Sequence, residues 1–138
     1  MIKKESRNNF FSYGYSVLLF YKKNYSEALD HISMIKNEPL PITIDIYILK
    51  IKIFYELGFY DSALSSAESF RHYILSNKII SDYIGNMLSN FIRYFKNILT
   101  LKKKPSDRIK NKLLFELNES NKLREKRWLL EKLGELIN

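Results

Sequence analysis

Cysteine is absent from all 138 residues, which excludes disulfides and thiolate metal sites and is compatible with a reducing compartment. The cytoplasm is the expected location. Three prolines and four glycines supply too few turn residues for an all-β fold. The glycines, at positions 14, 58, 85 and 134, are scattered, so no glycine-rich phosphate loop is present. Long apolar runs are missing too. Residues 10–21 carry Ser12, Tyr13 and Gly14, and residues 42–60 are interrupted by Asp45, Lys50, Lys52 and Glu56. Neither reaches the roughly 18 to 20 uninterrupted apolar residues that a membrane span needs. The charged start, Met1 to Arg7, precedes no signal-peptide pattern with a small-residue cleavage site.

What remains is rich in hydrophobic residues, 46%, and in aromatics, 14%. A chain of this length buries roughly two thirds of its unfolded surface, enough for a core. Helix is the favoured element, and about seven are expected. The first spans 8–22 and the second 25–36, ending before Asn37-Glu38-Pro39-Leu40-Pro41, where two prolines disfavour continuation. The third and fourth span 42–57 and 60–76, with Ser76 and Asn77 as the break. From 79 to 103, Ile80, Tyr83, Ile84, Met87, Leu88, Phe91, Ile92, Phe95, Ile98 and Leu99 recur at threes and fours, the pattern of one long amphipathic helix. Pro105-Ser106-Asp107 opens a shorter helix carrying Ile109, Leu113 and Leu117, and a final helix at 121–137 places Leu123, Leu129, Leu130, Leu133 and Leu136 inward. Trp128 is expected to pack on the preceding helices.

An internal echo organises the first half. Lys23-Asn24-Tyr25-Ser26-Glu27-Ala28-Leu29 returns as Gly58-Phe59-Tyr60-Asp61-Ser62-Ala63-Leu64, and the same offset of thirty-five aligns Phe20 with Tyr55 and Ile35 with Phe70. A fixed period of this size is what stacked helical hairpins leave in a sequence, because each buries its apolar face against its neighbours. Ala28 and Ala63 fit as close-approach points between helices, with an aromatic ring filling the closed end of each hairpin. Gly58 stands where a chain leaving a helix needs positive φ, which glycine adopts without steric cost; Lys23 lacks that freedom.

These residues resemble the tetratricopeptide repeat family, whose signature has a glycine, an aromatic two residues later, an alanine three beyond that and a closing proline. Gly58, Tyr60 and Ala63 match it, as do Tyr25 and Ala28 with Pro39 and Pro41 near the close of the first copy, and Ser16 stands where the family has a small residue. Ile51 departs from the pattern, and the second copy has no closing proline near Leu75. The resemblance covers residues 9 to 77. It implies an all-α fold of antiparallel hairpins stacked as a short α-solenoid in one domain, 1–138. Repeat 1 would span 8–38, repeat 2 42–77, a degenerate repeat 3 79–118, and an atypical capping helix 121–137. It also leads us to expect that the chain is the C-terminal part of a longer repeat protein.

No cluster of residues announces a reaction, and no catalytic residue, metal site or cofactor is expected. His31 and His72 do not form a metal motif, because a zinc site wants a pair at three-to-five spacing with further ligands. Asp45, Glu56 and Asp61 are isolated carboxylates on expected helices. In a repeat of this kind function lies in the groove lined by the first helix of each hairpin: Tyr13, Val17, Phe20 and Tyr21 from one copy, and Asp45, Ile48, Lys52, Tyr55 and Glu56 from the next. Such a surface holds an amphipathic helix or extended segment by apolar anchors. The family's basic clamp for peptide carboxylates uses Lys and Asn where this chain has Tyr13 and Val17, so that specificity is not expected. The reading is a non-catalytic module for protein or peptide partners, with self-association through the first hairpin as a further expectation.

The alternative is a basic helical nucleic-acid-binding domain. The net charge is +8, and residues 78–138 hold fourteen Lys and Arg against seven Asp and Glu. Lys102, Lys103, Lys104, Arg108, Lys110 and Lys112 surround one inter-helix turn, and Lys122, Arg124, Lys126 and Arg127 follow in the next segment. That is a cationic face able to attract phosphates. The competing reading is a solvated surface in which lysines offset the negative end of a helix dipole.

Overall fold

The computed structural model describes residues 4–36 and 40–136, with side-chain surroundings from residue 8 onward. The described residues form seven α-helices and no strand: α1 (Lys4–Tyr21), α2 (Tyr25–Ser33), α3 (Leu40–Glu56), α4 (Tyr60–Ser76), α5 (Asp82–Lys103), α6 (Asp107–Glu119) and α7 (Lys126–Gly134). The expected all-α class therefore holds, and no described helix is long and apolar enough to cross a membrane. The chain divides into two compact units, Met1–Phe70 and Arg71–Asn138, with α4 shared along its length.

The first unit repeats itself at the level of single hydrogen bonds. At the end of α1, the Lys22 amide donates to the Leu18 carbonyl (3.1 Å), Lys23 to Phe20 (3.0 Å) and Asn24 to Leu19 (2.8 Å). Thirty-five residues on, Leu57 donates to Ile53 (3.0 Å), Gly58 to Tyr55 (3.0 Å) and Phe59 to Phe54 (2.9 Å). Both are left-handed helix ends in which two amides double back onto carbonyls the helix leaves unpaired. Lys23 has φ 65° and Gly58 φ 81°. Lysine thus adopts the conformation for which glycine is suited.

The next helix starts in the same way in each copy, the Ala28 amide bonding the Asn24 carbonyl (3.0 Å) and Ala63 that of Phe59 (2.9 Å). Each turn is closed by an edge-on aromatic pair. Phe20 meets Tyr25 at 5.4 Å and 61°, and Tyr55 meets Tyr60 at 5.4 Å and 62°. Ala28 and Ala63 are fully buried, as close approach of two helices demands. Further along, Tyr15 touches His31 and the Asn9 side chain donates to the Lys36 carbonyl just past α2; contacts that run backward along α1 as they run forward along α2 make the two helices antiparallel. Tyr47 stacked on Phe70 at 4.9 Å does the same for α3 and α4. α3 also packs against α1 and α2.

Boundaries depart from expectation where local chemistry decides them. α1 begins at Lys4 and α2 ends at Ser33. Pro41 lies inside the first turn of α3, where its missing amide would be unpaired anyway; the rest of the expected dividing loop, residues 37–39, lies outside the described residues. α5 starts at Asp82, not at 79, because the Ser81 hydroxyl accepts from the Ile84 amide (3.3 Å) and the Asn77 side chain holds the Ile79 amide in a turn. α6 starts at Asp107 under the same kind of cap, Ser106 to the Ile109 amide. α7 starts at Lys126, not at 121. Glu125 before it has φ 61°, and the Lys126 ammonium donates to the Asn118 (3.1 Å) and Ser120 (2.9 Å) carbonyls at the end of α6. A chain pinned there turns before it coils.

The second unit is built on the inner face of α5, whose Leu88, Phe91, Ile92, Phe95, Ile98 and Leu99 are buried with Leu113 and Leu117 of α6 and Leu129 and Leu133 of α7. Trp128 stacks on Phe95 at 6.1 Å, the packing expected of it. Lys132 is buried yet paired, with Glu135 at 3.2 Å and Glu131 at 3.6 Å.

Four stability outcomes follow from these contacts. Lys23→Gly raises the unfolding free energy by about 1 kcal/mol and Gly58→Ala lowers it by about the same, since left-handed backbone costs an L-residue on that order; urea denaturation followed by circular dichroism reads both. Replacing Lys126 with Met costs about 1 kcal/mol through the two carbonyls it leaves unpaired. Trp128→Ala costs about 3 to 5 kcal/mol through the cavity it opens on Phe95, visible as a fall in thermal midpoint.

Candidate functional site

The expected groove residues fall into two classes. Phe20, Ile48, Lys52 and Tyr55 are buried, which corrects their assignment to an open surface. Phe20 and Tyr55 are the rings that close the two hairpins, and Lys52 reaches back with its ammonium 4.9 Å from the centre of the Phe20 ring. The Lys52–Phe20 contact fastens α3 to α1. Tyr13, Val17, Asp45 and Glu56 are half-buried, and Tyr21 is 74% exposed. Tyr13, Val17 and Tyr21 follow one another at fourfold spacing and so line one strip of α1.

Five of the six expected basic residues are exposed: Lys102, Lys103 and Lys104 at the end of α5, with Arg108 and Lys112 on α6. Lys110 is engaged elsewhere, its ammonium donating to the Leu136 carbonyl (2.8 Å). The second unit carries the whole charge excess of the chain. Residues 1–70 hold eight basic and eight acidic residues, leaving fifteen basic and seven acidic in 71–138, or 15 − 7 = +8. Lys122 lies over the Tyr83 ring at 5.3 Å.

His31 packs edge-on against Tyr15 at 4.7 Å, and His72 is exposed. Among the described residues no three His, Asp or Glu side chains gather to hold a metal ion. Tyr94, buried in the second unit, donates its hydroxyl to Glu116 at 3.5 Å, a contact that joins α5 to α6.

One surface was not anticipated residue by residue. On α1, Phe10, Phe11, Leu18 and Tyr21 are exposed, with Tyr15 nearly half so, and Gly14 has open space where a side chain would stand. The signal for it is in the sequence: from Asn8 to Tyr21 no residue is charged, so this stretch has no charged face to turn outward. No family model, no curated protein and no solved structure matches this chain.

Proposed function

We propose that this chain is a non-catalytic interaction module of the tetratricopeptide-like kind, a short α-solenoid binding a protein or peptide segment along α1 and α3. The observation that carries the reading is the exact recurrence, at thirty-five residues, of the left-handed cap, its hydrogen bonds and the aromatic pair that closes each hairpin. Tandem hairpins of this sort present first helices side by side, and α1 and α3 do pack on each other. With Phe20, Ile48, Lys52 and Tyr55 buried, the binding strip narrows to Tyr13, Val17 and Tyr21 with Asp45 and Glu56. A tyrosine-rich strip favours a segment that brings apolar anchors.

A second reading rests on the five exposed cations around the turn between α5 and α6. Phosphate binding there would be sequence-independent and steeply salt-dependent.

A salt-titrated pull-down with nuclease-treated and untreated arms separates the two. The interaction reading expects protein partners that survive nuclease and moderate salt and are lost with the double substitution Val17→Ala, Tyr21→Ala, which leaves the buried core intact. Nucleic acid that elutes steeply with salt and vanishes when Lys102, Lys103 and Lys104 are changed to Gln would move the function to the basic face.

A further inference from the structure

The internal repeat supplies its own reference for the exposed face of α1. Aligned at thirty-five residues, Phe11, Gly14, Leu18 and Tyr21 correspond to Ile46, Leu49, Ile53 and Glu56 of α3. In α3, which has α1, α2 and α4 about it, Leu49 and Ile53 are buried, Ile53 completely. In α1, which has α2 and α3, Leu18 is 48% and Phe11 75% exposed, and the Cβ position of Gly14 meets nothing within 4 Å. The two helices thus share a backbone plan but not a set of neighbours. By the repeat, α2 answers to α4, and the pair α1 and α2 that packs against α3 has no counterpart against α1 among the described residues.

We propose that Phe11, Gly14 and Leu18 form a second docking site on α1, and that its occupant is an amphipathic α-helix of a partner protein, apolar on one side and acidic at the flank. The proposal rests on the reading of the chain as an interaction module but centres on a side of α1 away from Tyr13 and Val17, with Tyr21 at the border of the two. Three features define the occupant. The site is equivalent to a helix-covered face of α3, so a helix fits it. Gly14 leaves a notch where α3 has Leu49, so the incoming helix brings a bulky apolar side chain to that point. Beyond the stripe stand Lys22 and Lys23, both exposed, which complement a carboxylate and disfavour a basic partner. A second copy of this chain is the weaker fit, since it brings the same two lysines to the site.

The test uses the full chain and a fluorescein-labelled helical peptide with Leu at i, i+3, i+4 and i+7 and Glu at its flanking positions. Control peptides carry Ser for every Leu, or Lys for every Glu. Fluorescence anisotropy is expected to show saturable binding of the Leu and Glu peptide, no binding of the Ser peptide of equal charge, and weaker binding of the Lys peptide. Leu18→Glu and Gly14→Leu, each checked for folding by circular dichroism, should weaken it at least about tenfold, whereas Phe115→Glu, at an exposed site of the second unit, should not. Tyr13→Ala with Val17→Ala should leave peptide binding within about threefold, which keeps failure of this site distinct from failure of the groove. Absence of saturable binding, or equal binding by Leu18→Glu, overturns the proposal. So does concentration-dependent self-association in sedimentation that Leu18→Glu abolishes, because a second copy would then be what covers the face.

Discussion

The first unit depends on one constraint: how a helix can end so that the next begins at once and runs back along it. The left-handed residue at 23 and 58 reverses the chain within three residues, and the two amides that follow the helix satisfy carbonyls that would otherwise point into the closing turn. The reversal fixes where the rings of Phe20 and Tyr25, and of Tyr55 and Tyr60, must meet. Those rings hold the helices apart at the turn, and the alanines three residues further let them close together. Cap, ring pair and alanine are therefore one device, and its duplication is why α1 and α3 share one backbone plan. A lysine tolerates the left-handed position because the same hydrogen bonds hold it there.

Much of this could be read from the sequence. The register of thirty-five, the fourth helix, the long fifth helix and the burial of Trp128 all follow from apolar spacing, which depends on the same periodicity that packing exploits. Helix starts were less legible. Whether α5 opens at 79 or 82 depends on Asn77 and Ser81 competing for backbone amides, and α7 is delayed to 126 by a lysine binding the carbonyls of the helix before it. Those are contacts of single side chains, with no period to betray them.

The groove residues show a different limit. Fourfold spacing places Phe20 and Tyr55 on the same helices as Tyr21 and Glu56, but spacing alone does not say which side a neighbouring helix will take. Lys52 is the clearest case: a cation on an expected open face is buried against Phe20, where its charge meets the ring quadrupole and its stem fills space between helices. Conversely, the exposed aromatics of α1 look like core in any windowed reading. Only comparison with their counterparts in α3 marks them as uncovered.

The distribution of aromatic residues has an optical consequence. The single tryptophan, Trp128, is stacked on Phe95 within the second unit, while Tyr13, Tyr15, Tyr21, Tyr25, Tyr47, Tyr55 and Tyr60 all belong to the first. Indole emission excited at the red edge of the absorption band therefore arises within residues 71–138. The unaltered chain carries its own label for that half.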